Sequence, residues 1–257
     1  MLTVSVANAT FTVSILLQRS NGMATYVIVP GAYSGAWYLK EVGQFLQAAG
    51  HTVYRCTLTG LGERSHLASP EVGLDTHILD VANVIAYEEL QNVILVGHSY
   101  AGMVITGVAE RMPEKLAHLV YVDAIVPRDG ESVVGAPGTP QRAEREALVN
   151  AEGQGWLLPV DWQHGSKDWR RCPHPFKSFT QPISVKNPAA TAIPRTYIYC
   201  TADKVGPDAP YKGITESAAR ARAAGWRYFE FDAAHGIFRS HPRELADLLL
   251  GVPQANS

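Results

Sequence analysis

Apolar residues along this chain fall into short, nearly unbroken runs separated by stretches of helical spacing. Tyr26-Val27-Ile28-Val29 ends at Pro30-Gly31; Thr52 to Cys56, Val93 to Val96, Leu119 to Val122, Tyr197 to Tyr199 and Tyr228 to Phe231 repeat the theme. Between them, Trp37 to Ala49, Asp75 to Tyr87, Ser99 to Arg111 and Arg243 to Leu250 carry their apolar positions at helical intervals, and the first stops at Gly50. Strands apolar on both faces and alternating with helices predict an α/β fold with a mostly parallel, doubly wound sheet covered on both sides. In such a sheet, ligands bind beyond the carboxyl ends of the strands, which is where chemistry is to be sought.

Two stretches depart from that rhythm. Arg128 to Ile193 holds Trp156, Trp162, Trp169, Pro173 and Pro175 and no clear strand. It reads as a small helical cap, residues 128–193, inserted after the sixth core strand, with residues 23–127 and 194–257 forming the core. Residues 1–22 read as an N-terminal extension of one or two short strands. Their first basic residue, Arg19, follows the apolar stretch instead of preceding it, which is the wrong order for an export signal. Met23 is a candidate second start.

Composition narrows the partners. Of 257 residues, 22 are Lys or Arg and 24 Asp or Glu, a formal charge of −2, so no concentrated positive charge invites nucleic acid or an anionic membrane. No apolar run reaches the ~18 residues of a membrane span. Three cysteines, Cys56, Cys172 and Cys200, are odd in number and widely spaced, which fits a reducing, cytoplasmic setting better than a disulfide framework. The expected partner is a small molecule, and the chain leaves room for a homodimer.

The sharpest chemical signal is Val96-Gly97-His98-Ser99-Tyr100-Ala101-Gly102, joining a buried strand to a helix. A serine on that turn projects its hydroxyl over the sheet edge, and small neighbours let the turn be tight. The usual second glycine is Ala101 here, with Gly102 one step on. The hydroxyl needs a base. His235, in the loop Asp232-Ala233-Ala234-His235-Gly236 after a strand, is the best placed of nine histidines. His98 points away from Ser99 on the turn, His66 and His77 flank a loop near the cleft, and His51, His118 and His241 read as surface. The base needs an acid. Asp203 and Asp123 both follow strands, and the chain order serine, acid, histidine favours Asp203. Backbone amides of Ala32, in Gly31-Ala32-Tyr33-Ser34-Gly35, and of Tyr100 are the expected oxyanion donors. Tyr33, Trp37, Trp156 and Trp162 are candidate substrate contacts, with packing in a cap core as the alternative. Gly60-Leu61-Gly62-Glu63-Arg64-Ser65 lacks the phosphate-loop pattern. Cys172 and His174 alone make a poor metal site.

With these residues the chain resembles the α/β-hydrolase superfamily, and within it the branch of plant methylesterases, hydroxynitrile lyases and bacterial carboxylesterases of the pyrethroid type. The likeness runs from Ala24 to about Gly251 and rests on Gly31 to Trp37, Thr57-Leu58-Thr59-Gly60-Leu61-Gly62, the turn at Ser99, Cys200-Thr201-Ala202-Asp203-Lys204, and His235. The resemblance implies Ser99 as nucleophile, His235 as base, Asp203 as acid, no cofactor and no metal. It departs at Pro30, where many members have histidine, and at Ala101. The lyases carry threonine at the position of Gly31 and lysine just after the histidine, where this chain has Gly236.

The expectation is a serine esterase acting on a small ester with an apolar or aromatic group. Amide, carbamate or carbon–carbon hydrolysis and lyase chemistry are the enzymatic alternatives, and a ligand receptor on the same fold is the non-enzymatic one. An aspartate-nucleophile enzyme is excluded by Ser99 at the turn.

Overall fold

The computed structural model describes residues 22–135, 137–160, 168–204 and 212–252, and the backbone of two short strands near the start. Those two, β1 (Thr3–Val6) and β2 (Ala9–Thr12), pair antiparallel. The central sheet holds β3 (Thr25–Val29), β4 (Thr52–Arg55), β5 (Val93–His98), β6 (Leu116–Val122), β9 (Arg195–Cys200) and β10 (Arg227–Phe231) in the spatial order β10-β9-β6-β5-β3-β4. Every neighbouring pair in it is parallel.

Alternate residues of each strand feed two cores. Val27, Val29, Leu95, Leu119, Tyr121 and Tyr197 pack on one face with α2 (Leu74–Tyr87), α3 (Ala101–Arg111) and α7 (Lys212–Ala223). Tyr26, Ile28, Ile94, Val96, Val120, Val122 and Ile198 pack on the other with α1 (Lys40–Ala48) and α9 (Pro242–Leu250). The continuous apolar character of the strands follows: both sides are out of water, and the period of two separates the faces.

Residues 128–193 leave the sheet after β6, the sixth strand of the chain and the fourth of the central sheet, and rejoin it at β9. They contain α4 (Pro140–Glu152), α5 (Lys177–Thr180) and α6 (Pro188–Ala192). The expectation of no strand is corrected: β7 (Leu157–Leu158) and β8 (His174–Pro175) form a two-residue antiparallel pair, too short to leave a hydrophobic pattern. No helix among the described residues is long and apolar enough to cross a membrane.

Because all six strands run the same way, the ends of β3, β5, β6, β9 and β10 open onto one edge. The turn after β5 is tight enough to need its glycine one residue late. A Cβ on Gly102 would lie 1.9 Å from the Ile125 carbonyl oxygen, so α3 and the chain leaving β6 touch backbone to backbone there. The same closeness lets Ile125 N donate to Ser99 O at 3.1 Å. Gly102→Ala is therefore expected to cost roughly 3 kcal/mol or more, at the upper end of overpacking penalties. Urea denaturation measures it, and a loss under about 1 kcal/mol would contradict this packing.

Candidate active site

Ser99 sits between β5 and α3 with φ of 56°, a left-handed conformation that serine rarely adopts and that the strand-to-helix turn imposes. Its amide donates to Val122 O at 3.2 Å, locking the turn to β6. The neighbouring strand end needs an equally small residue: a Cβ on Gly31 would meet Ser99 Cβ at 2.9 Å and His98 Nδ1 at 3.0 Å.

His235 arrives from the loop after β10, and its Nε2 lies 2.9 Å from Ser99 Oγ. The sequence expectation of Asp203 as its partner is corrected by the geometry. His235 Nδ1 lies 2.5 Å from Asp123 Oδ2, immediately after β6. Asp203 instead accepts from the His235 backbone amide at 2.8 Å and from Lys204 Nζ at 2.9 Å. The reason is strand order. β6 adjoins β5, and Asp123, at φ 45°, turns its carboxylate straight into the site. Asp203 lies two residues further into the loop after β9, behind Thr201 and Ala202.

Asp123 is fully buried yet well supplied with donors. Lys204 Nζ reaches Oδ2 at 2.8 Å and the Cys200 amide reaches Oδ1 at 3.1 Å. Burial alone would raise its carboxyl, but the hydrogen bond and charge of His235 and then the Lys204 ammonium hold it below the ordinary carboxylate value. Lys204, its side chain 1% exposed, thus sits between two carboxylates and leaves one net negative charge beside the imidazole. Nothing but its place in Cys200-Thr201-Ala202-Asp203-Lys204 marked it in the sequence.

Behind the imidazole, His98 is buried, with its ring centroid 4.6 Å from that of His235. Its Nε2 donates to His235 O at 2.9 Å, and burial, aided by the His235 charge, drops it to about 3, so it stays neutral. His98 therefore packs against the His235 ring and braces its main chain.

On the other side, Ala32 and Tyr100 line the cleft, and among the described residues neither backbone amide has an acceptor within the chain. Tyr33, at φ 64°, is clamped by the inserted segment: Cys172 N donates to its carbonyl at 3.2 Å, and its own amide donates to His174 Nδ1 at 3.3 Å. His174 Nε2 then donates to Ser178 Oγ at 2.8 Å, whose hydroxyl donates to Pro175 O. Tyr100 OH meets His77 Nδ1 at 2.8 Å, and His77 Nε2 donates to Thr59 O. Among the described residues no group of three potential ligands is arranged to hold a metal ion.

The cleft, about 710 Å³, is lined by Ser99, His235, Tyr33, Trp37, Tyr38 and Phe179 among others. Trp37 carries the Arg170 guanidinium over its ring at 4.0 Å. Trp156 is corrected as a contact: it does not line the cleft, because it sits in the turn before β7 with its carbonyl bound to Phe176 N. Trp162 lies outside the described residues. His118 is also corrected. It is buried in β6 with Nε2 bonded to Thr196 Oγ1 at 2.8 Å, a pairing that the flanking charged residues concealed.

A profile described as the alpha/beta hydrolase family matches residues 26–248. The chain is 34% identical to a carbendazim hydrolyzing esterase of Nocardioides sp. (strain SG-4G), over 90% of this chain and 100% of that one. It is 28% identical to a pyrethroid hydrolase of Sphingobium wenxiniae, covering 89% of this chain and 87% of that one. Among solved structures, an extracellular alpha/beta-hydrolase from a Paenibacillus species superposes with a TM-score of 0.75 at 24% identity, covering 88% of this chain and 98% of that one. Parallel sheet, strained serine turn and family match converge on one conclusion: the chain belongs to the alpha/beta hydrolase family.

Proposed function

We propose that this hydrolase is a serine esterase for small carboxylic esters with an apolar or aromatic group, working through Ser99, His235 and Asp123. The observation that carries the reading is the continuous relay from Ser99 Oγ to His235 Nε2 at 2.9 Å and from His235 Nδ1 to Asp123 at 2.5 Å. His235 takes the hydroxyl proton as Ser99 attacks the ester carbonyl, and Asp123 holds the ring in the required tautomer and stabilises the imidazolium. The Ala32 and Tyr100 amides receive the oxyanion. His235 returns the proton to the departing alcohol, and water then frees the acid by the reverse proton route. On this reading residues 128–193 are a cap, contributing Val133, Val134 and Phe179 to the cleft wall. A cytoplasmic setting fits the free Cys56, Cys172 and Cys200.

The lyase alternative is disfavoured sterically. A threonine in place of Gly31 would press its Cβ onto Ser99 and His98. Hydrolysis of carbendazim itself is a second reading, favoured by the 34% identical relative named for it. The test is covalent capture together with turnover. A serine-directed phosphonate should add one equivalent to the protein, at Ser99 by peptide mass mapping, and block hydrolysis of a panel of aryl and methyl esters and carbendazim. Label on another residue, or turnover that survives full labelling, would refute the assignment.

A further inference from the structure

The lining of the cleft is not uniformly apolar. Arg145 of α4, Arg171, Lys212 at the start of α7, and Arg239 of α8 (Ile237–Ser240) all border it. Among the described residues none of the four forms an ion pair, whereas Arg142, Arg170, Arg220, Arg222 and Lys177 elsewhere all do. The two carboxylates in the lining among the described residues are already engaged: Asp168 by Arg170, at 2.5 Å and 2.8 Å, and Asp203 by Lys204. Arg239 also lies near enough to Asp168 to help hold its carboxyl down. Among the described residues the lining thus keeps a positive excess that its own acids do not cancel.

Arg171 is the most pointed of the four. Its Nε is buried with no hydrogen-bond partner, and its charge reaches His98, next to the nucleophile. The Nε itself lies out of a ligand's reach, as do those of Arg195 and Arg220, but the two terminal nitrogens of Arg171 are not buried and make no hydrogen bond among the described residues, so they can meet an acceptor in the cleft. The planar fork of arginine suits a carboxylate better than an ester or an aromatic ring.

We propose that the ester bound here carries a carboxylate held by Arg171 and Arg145, so that the substrate is a half-ester of a dicarboxylic acid; this rests on the esterase reading above. Lys212 and Arg239, both exposed at the rim, draw such anions toward the mouth. The apolar walls then receive the carbon skeleton between the two carboxyl groups.

The test compares matched methyl esters: monomethyl glutarate against methyl pentanoate, and monomethyl terephthalate against methyl p-toluate, with acid release followed directly. At least one charged ester should exceed its neutral partner tenfold or more in kcat/KM, and added salt should narrow the gap. Arg171→Gln and Arg145→Gln should each raise KM for that charged ester at least tenfold more than for its partner, with Arg171→Lys guarding against misfolding. Neutral esters preferred in both pairs, or losses equal for charged and neutral, overturn the proposal. Calorimetry of monomethyl glutarate and monomethyl terephthalate on Ser99→Ala separates the two readings. Binding that Arg171→Gln abolishes supports the anion site even if neither ester is turned over, and absence of binding by both half-esters sinks it whatever the esterase result.

Discussion

Asp123→Asn should lose about 10⁴-fold in kcat, the scale seen when a triad acid becomes an amide and the histidine takes the wrong tautomer. Asp123 accepts three hydrogen bonds, from His235, Lys204 and the Cys200 amide, and is fully buried. An amide there can keep the shape but must point an NH₂ at some donor. Asp203→Asn should fall less than tenfold, because among the described residues its carboxylate bonds to the His235 main chain and Lys204 and not to the imidazole. Ser99→Ala sets the floor, a loss of about 10⁶-fold. Steady-state kinetics on any hydrolysed ester decides. If Asp203→Asn collapses while Asp123→Asn survives, the relay described above is misassigned.

Acid should unfold this protein early. His77, His98, His118 and His174 are all buried, and burial is the leading cause that lowers each: to about 4, about 3, about 4, and well below the ordinary 6.5. Their folded-state values are depressed, so the fold favours the neutral rings. In the unfolded chain they take up protons near pH 6.5. Stability is complete above that value and drains as pH falls, since the unfolded state then binds more protons. Between pH 7 and 5 His77, His98 and His118 each account for about 2 kcal/mol, ~6 kcal/mol together, and His174 acts in the same direction, a loss comparable with the whole stability of a typical domain. Asp123, held below its ordinary value, adds to the loss at still lower pH. The denaturant midpoint should decline steeply from pH 6.5, with loss of near-UV circular dichroism between about pH 5.5 and 4. A flat midpoint down to pH 5 would contradict the neutral burial of these rings.

The sheet was readable because its four inner strands are buried on both faces and its half-buried edge strands are still largely apolar: six runs mark the six strands within a few residues. Helices α4 and α7 were not. Only Val149 of α4 is buried, and α7 packs through Ile214 with Ser217, Ala218 and Ala221, so a single large apolar residue marks its buried face. Ser99 and His235 were legible from the turn and from chain order. The acid was not, because Asp123 and Asp203 follow adjacent strands and only the fold decides which carboxylate meets Nδ1. The histidine cluster eluded sequence reading for a related cause. His77 and His174 owe their burial to partners 18 to 141 residues away in the chain, and His118 to Thr196 on the next strand.

The clamp on Tyr33 has a mechanical corollary. Its carbonyl and amide are gripped from residues 172 and 174, so the loop that carries the Ala32 amide cannot shift independently of the segment laid over the sheet. Any hinging of that overlying piece to admit a substrate drags with it the amide proposed as an oxyanion donor, and its return re-aims that amide. Entry and alignment would then be two phases of a single stroke.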